Sequence, residues 1–244
     1  RMGFVMDELA QWVNFRPVCP EMAIGLPTPR PALRLIMTTG GDTQMRFSHP
    51  PHDDVTQKMA DFTASYLPEI GDLAGFIVCA KSPSCGMERV RLYDENGNRG
   101  RKEGVGLFTA ALLETWPWLP VEEDGRLHDP VLRENFVERV FALHELNTLR
   151  KNGLTRRALL DFHSRYKLQL LAHHQAGYRE IGPFVASLHE WEDLDAFFVA
   201  YREKLMTILK KPASRKNHTN VLMHIQGYFR NQLNSRQRGE LREV

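Results

Sequence analysis

As far as about residue 122 short apolar runs alternate with helical stripes, and beyond it only helical periodicity remains. A chain that changes period in this way cannot be a single uniform layer, because two-residue and 3.6-residue repeats bury different faces. The pattern predicts a short helix over 7–14, strands over 15–18, 33–37 and 74–79, and helices over 54–67 and 105–116. The run Ala74 to Cys79 is almost unbroken apolar sequence, as expected of a strand covered on both faces. Such alternation predicts an α/β domain layered around a mostly parallel sheet, over residues 1–130. An all-α domain over 131–244 follows, with helices predicted over 130–151, 155–174, 177–188, 193–211 and 219–233. Asn152-Gly153 reads as a helix C-cap and Thr155 as an N-cap.

Charge divides at the same place. The net charge of +2 hides 13 Lys+Arg against 18 Asp+Glu in residues 1–130, and 19 against 12 in residues 131–244. A half that carries +7 is suited to an anionic partner, which points to nucleic acid. No run approaches the roughly 18 apolar residues of a membrane helix, and three cysteines make no disulfide framework. Both features fit a cytoplasmic location with no membrane contact.

Two of the cysteines follow predicted strands, where α/β folds carry their sites. Cys19 lies in Cys19-Pro20-Glu21, and Cys85 in Ser82-Pro83-Ser84-Cys85-Gly86. Stiff, small-residue loops hold a thiolate while backbone N–H groups point at it, so both residues are candidates for metal or cluster ligation. Glu21 is a candidate general base, and the stiff segment Gly25–Arg30 presents Thr28 and Arg30 to an anion or a carbonyl. Cys79 sits inside its apolar run and is expected to pack in the core. Gly100 to Gly106 precedes a helix and is either a phosphate cradle or a plain turn. No paired CxxC and no HExxH occurs, which argues against zinc.

In the helical half, basic residues gather at helix ends and breaks. Arg156, Arg157, Arg165, Lys167, Lys210, Lys211, Arg215, Lys216 and Arg230 are the candidates for a phosphate backbone. The alternative is a solvated charged face. The run Asn220 to Arg230 reads as an apolar stripe that is mostly core, with Gly227 allowing close helix approach.

Val-Cys-Pro-Glu (18–21), Gly-Leu-Pro-Thr-Pro-Arg (25–30) and Lys-Ser-Pro-Ser-Cys-Gly (81–86) resemble the TudS thiouracil desulfidase family. The second half resembles the YbgA-like helical domain fused to its longer members, through Phe162-His163, Lys167, His173 and the run from Asn220 to Phe229. The resemblance implies a 4Fe–4S cluster on three cysteines, whose open iron takes the sulfur of a thiocarbonyl while activated water attacks the carbon. It assigns Cys19 and Cys85 as two ligands and makes Glu21, Ser82 and Ser84 candidates for activating water and holding the pyrimidine. The third ligand belongs to a Cys-Leu-Leu-Gly-type segment, expected upstream of Arg1, so the site in this span is expected to hold a cluster poorly. Fused proteins of this kind resemble tRNA 4-thiouridine desulfidases, which implies tRNA as partner. Desulfuration of free thiouracil with a structural helical half, and a non-catalytic redox sensor that binds nucleic acid, are the other two readings.

Overall fold

Strand β1 (Leu33–Met37) is covered on both faces, since its adjacent residues Leu35 and Ile36 point to opposite sides and are both buried. It pairs antiparallel with β2 (Thr43–Phe47) and parallel with β4 (Val90–Tyr93), which pairs antiparallel with β5 (Arg99–Gly104). The order of this four-stranded sheet is β2-β1-β4-β5. A second, two-stranded parallel sheet joins β3 (Phe76–Val78) to β6 (Val121–Glu123). The N-terminal unit is α/β, as the pattern predicts, but its four-stranded sheet is mixed rather than mostly parallel. The reason is local: 38–42 and 94–98 are tight turns, and short connections can join only antiparallel neighbours.

The computed structural model describes residues 3–229 and 231–243. Its contacts separate two units, Arg1–Phe136 and Val137–Val244. In the first, helix α2 (Thr56–Glu69) packs on α3 (Leu107–Thr115) through stacked or tilted rings of Phe62, Tyr66, Phe76 and Phe108. Residues 13–19 form no strand; they run as irregular chain into the one-turn helix α1 (Pro20–Ala23). Phe15 is exposed there, so the short run 15–18 finds no sheet to join.

The long helix α4 (Pro130–Lys151) leads into α5 (Arg156–His173), α6 (Gln175–Ala186), α7 (Leu194–Leu209), α8 (Arg215–Tyr228) and α9 (Ser235–Glu243). Side-chain caps hold several of these helix starts, among them those of α5, α7 and α8. Thr155, Asp193 and Ser214 accept hydrogen bonds from Ala158 N, Ala196 N and Asn217 N respectively. The core of this unit is a ladder of rings, Phe184 on Phe197 on Tyr201, with Trp191 edge-on to the first two.

His163 is buried in that core, its Nδ1 3.1 Å from the Tyr201 hydroxyl. Burial, with a smaller push from the Lys167 charge, lowers its pKa to about 4. Between pH 6.5 and 4 the unfolded chain takes up a proton that the folded chain refuses. The neutral ring's contribution is thus complete above pH 6.5 and lost as the pH falls towards 4, to a total of ~3 kcal/mol. Urea unfolding at pH 7 and pH 4.5 will show the acid loss reduced in His163→Gln relative to wild type.

Candidate functional site

The loop that carries Cys85 is built as a tight turn and then strapped to a helix. The Ser82 side chain accepts from the backbone N–H of Ser84 (3.3 Å) and of Cys85 (3.2 Å), and Gly86 N–H donates to the Ser82 carbonyl. Leu107 N–H donates to Pro83 O and Phe108 N–H to Ser84 O, while the Thr109 hydroxyl donates to Cys85 O at 2.7 Å. The first turn of α3 thus spends its unpaired N–H groups on the cysteine loop. The contact is so close that a Cβ on Gly106 would lie 2.5 Å from the carbonyl of Ser84. The glycine stretch 100–106 is therefore no phosphate cradle. Gly100 and Gly104 lie in β5, and Gly106 serves this close approach.

Cys19 is the residue before α1, and its carbonyl accepts from Ala23 N–H. Two residues on, Glu21 reaches across 63 residues of sequence: its Oε1 accepts from the Ser84 hydroxyl at 2.7 Å. Ser82 lies 3.5 Å from the same oxygen and 3.0 Å from the Ser84 hydroxyl. The other carboxylate oxygen takes the Arg30 Nε–H at 2.6 Å. The remaining arginine nitrogens reach Pro27 O, the Thr28 hydroxyl and, at 3.6 Å, Cys19 Sγ. Ser84 is 1% exposed, and its hydroxyl stands 3.5 Å from Cys85 Sγ. Glu21, Arg30, Ser82, Ser84, Cys19 and Cys85 form one connected constellation, and Thr28 joins it through Arg30.

The residues from 1 to 124 match the family described as 2-thiouracil desulfurase. The chain belongs to the 2-thiouracil desulfurase family. Residues 167–244 match a family described as a protein of unknown function (DUF1722). The chain is also similar to the "Uncharacterized protein YbgA" of Escherichia coli (strain K12), with 55% identity over 103 residues. That match covers 42% of this chain and 61% of the relative's length. No solved structure matches.

Electrostatics at this desulfurase-family site raise thiol pKa values rather than lower them. Burial pushes the Cys85 thiol up to about 11; the charges of Cys79 and Glu21 add to it, and hydrogen bonds from Ser84 and Ser82 oppose it. Cys79 is raised first by the protein packed on one side of it, then by Asp124, Cys19 and Glu21. Among the described residues, no three His, Cys, Asp or Glu side chains gather closely enough to hold a metal ion.

Cys79 corrects the expectation of a core cysteine. It is exposed, just past the end of β3, and within reach of the charges of Asp124, Cys19 and Glu21. The apolar run ends one residue earlier, at buried Val78. Cys79→Ala is expected to shift stability by no more than about 0.5 kcal/mol, as at a surface position. A urea midpoint that implies a loss several times larger would restore the core reading.

The bracing of the loop was missed in the sequence. Glu122 and Glu123 are buried in β6, and Asp124 follows them. Glu123 Oε1 accepts from the backbone N–H of Met87 and Glu88, and Asp124 Oδ1 accepts from Ala80 N–H. Glu122 pairs with Arg126, which also reaches Glu88. Three consecutive acids thus hold the segment from Ala80 to Glu88 at both ends. The readable signal was an acidic run on a strand whose other residues are apolar, since buried carboxylates require partners.

In the helical unit the basic candidates fall into two groups. Arg156 and Arg157 start α5, where Arg156 donates to Trp191 O and Arg157 pairs with Asp161. Lys210, Lys211, Arg215 and Lys216 are exposed around the junction of α7 and α8. That junction docks on the other end of α5, through His173 to Lys211 O and Asn217 to Ala172 O. The two groups are separated by about 25 Å of helix. Between them Lys167 is exposed, and Arg165 is engaged by Glu145. Arg230 lies outside the described residues.

The apolar stripe of α8 is not mostly core. Val221 is buried, but Leu222, Met223 and Tyr228 are 64%, 65% and 72% exposed, and a Cβ on Gly227 would meet nothing. Among the described residues, no helix is long and apolar enough to cross a membrane.

Proposed function

We propose that this protein replaces the sulfur of a thiouracil-type base by oxygen, in its fused form acting on 4-thiouridine within tRNA. The observation that carries the reading is the meeting of Glu21, Ser84 and Cys85 around a 2.7 Å hydrogen bond, inside a domain of the 2-thiouracil desulfurase family. The reaction balances without redox change. A C=S carbon and water give a C=O carbon and hydrogen sulfide; a C=O double bond replaces the C=S double bond, and both protons of the water leave with the sulfur.

Glu21 is the acceptor for the water proton, since its Oε1 is the carboxylate oxygen at the centre of the constellation. Arg30 fixes the carboxylate through the opposite oxygen, so the basic oxygen keeps one orientation. Ser84, almost fully enclosed, orients that oxygen, and Ser82 backs it. The proton then leaves with the sulfide. Cys19 and Cys85 are the thiol donors that would hold a 4Fe–4S cluster, with Ser84 beside one sulfur and Arg30 beside the other. Such donor chemistry suits iron–sulfur ligation. When bound, the cluster supplies a soft Lewis acid for the departing sulfur.

The reading that the substrate is tRNA rests on the +7 balance of residues 131–244 and on the exposed basic groups at the two ends of α5. Free thiouracil is the competing substrate. Sulfide release from 4-thiouridine-containing tRNA and from free thiouracil, with anaerobically reconstituted protein, distinguishes the two. We expect a higher kcat/KM for tRNA, falling steeply as salt rises. Equal values with no salt dependence would favour the free base. Sulfide from neither would favour the non-catalytic reading.

A further inference from the structure

A recess of about 120 Å³ lies between the β1–β2 hairpin and the turn joining β4 to β5, away from the cysteine loops in sequence and lined by Arg34, Arg46, His52, Glu95, Asn96 and Gly97. Arg34 and Arg46 are directly opposite each other in the antiparallel register, so both guanidinium groups stand on one face of the sheet. Like charges in that position are destabilising unless something negative lies between them. Their own carboxylates are poorly placed. Asp54 Oδ2 is 3.9 Å from Arg46 Nε, and Glu95 is engaged with the backbone N–H of Thr39. Arg46 Nε is buried and has no hydrogen-bond acceptor among the described residues. A buried donor of this kind is costly when left unmade.

The rest of the recess is fixed in place. Arg34 donates to Ser48 O and lies over the Tyr93 ring, 5.3 Å from its centre. His52 is held at φ 59°, a conformation that non-glycine residues adopt at a cost and that clusters at ligand sites. Its ring is anchored 3.0 Å from Phe47 O.

We propose that this recess is a phosphate-binding site, in which the paired Arg34 and Arg46 forks hold the oxygens of one phosphate and His52 closes the rim. Guanidinium forks match phosphate geometry and bind it through charge-assisted hydrogen bonds. The phosphate is a diester of an RNA backbone or a free monoester. Its use by a nucleotide substrate rests on the function proposed above; the anion site does not.

The test follows the arginine Nε–H signals of ¹⁵N-labelled full-length protein during titration at constant ionic strength. Inorganic phosphate, uridine 5′-monophosphate and a short RNA without thiouridine are the three probes, with chloride as control. We expect the Arg46 Nε–H signal to move with phosphate-bearing probes and not with chloride. A larger affinity for the RNA assigns the diester, and a larger affinity for the mononucleotide assigns the monoester. The double variant Arg34→Gln/Arg46→Gln should lose affinity about tenfold or more while keeping or raising its urea midpoint, because a repulsive pair has been removed. Arg46→Lys should retain charge yet bind more weakly than wild type. No movement with any phosphate probe overturns the proposal, and so does a double variant that unfolds more easily while binding as before. Desulfuration of free thiouracil, which has no phosphate, should be unchanged in the double variant, so loss of the proposed catalytic activity is distinguished from loss of this site.

Discussion

Glu21→Gln is expected to slow sulfur removal by about a hundredfold or more while leaving the fold intact. The substitution keeps the size of the side chain and leaves an oxygen for the Ser84 hydroxyl. It removes the charge that Arg30 pairs with and the carboxylate oxygen assigned above as acceptor of the water proton. Arg30 keeps its contacts with Pro27 O and Thr28, so the stability cost should stay near 1–2 kcal/mol. Sulfide release measured in single turnover reports the effect on chemistry rather than on binding. A rate within threefold of wild type would remove Glu21 from the role assigned to it.

Gly106→Ala should be among the most damaging single methyl groups in the N-terminal unit. Its Cβ would lie 2.5 Å from the carbonyl carbon and oxygen of Ser84 and 2.7 Å from Cys85 N. These are backbone atoms, so no rotamer change relieves the clash. Either α3 moves, opening the cluster of rings around Phe108, or the cysteine loop moves away from Glu21. We expect a loss of about 3 kcal/mol by urea unfolding and at least a hundredfold loss of activity, because sub-ångström alignment of reacting groups is lost with the loop. Gly104→Ala is a useful comparison: it too meets backbone, Val90 O at 2.9 Å, but lies in β5 rather than against the cysteine loop. It should lower stability and spare activity per folded molecule.

Much of this was readable in the sequence because it depended on local chemistry. The β1 bounds, the cap at Thr155 and the change to helices after residue 123 follow from periodicity and capping alone. The pairing of Glu21 with Arg30 is also local. Strands β2, β4 and β5 were not legible, because Thr43–Phe47 and Arg99–Gly104 are polar edge segments whose pairing is defined by their turns. The supposed strand at 15–18 and the supposed core position of Cys79 fail for one reason. An apolar run shows that burial is favourable, but not where the run meets its neighbours. The reach of Glu21 to Ser84 and the bracing by Glu122, Glu123 and Asp124 are tertiary facts, for which spacing gives no signal. Leu222, Met223 and Tyr228 make the opposite point, since their helical spacing suggested core and they are exposed.

The central claim is that the Glu21, Ser84 and Cys85 constellation takes the sulfur from 4-thiouridine in tRNA. Its most direct test is the near-ultraviolet thiocarbonyl absorbance of 4-thiouridine-containing tRNA, followed with anaerobically reconstituted full-length protein. The account predicts that the absorbance disappears, that sulfide appears in equal amount, and that Cys85→Ala and Glu21→Gln abolish or strongly slow both changes. Absorbance that stays constant with fully reconstituted wild-type protein would contradict it.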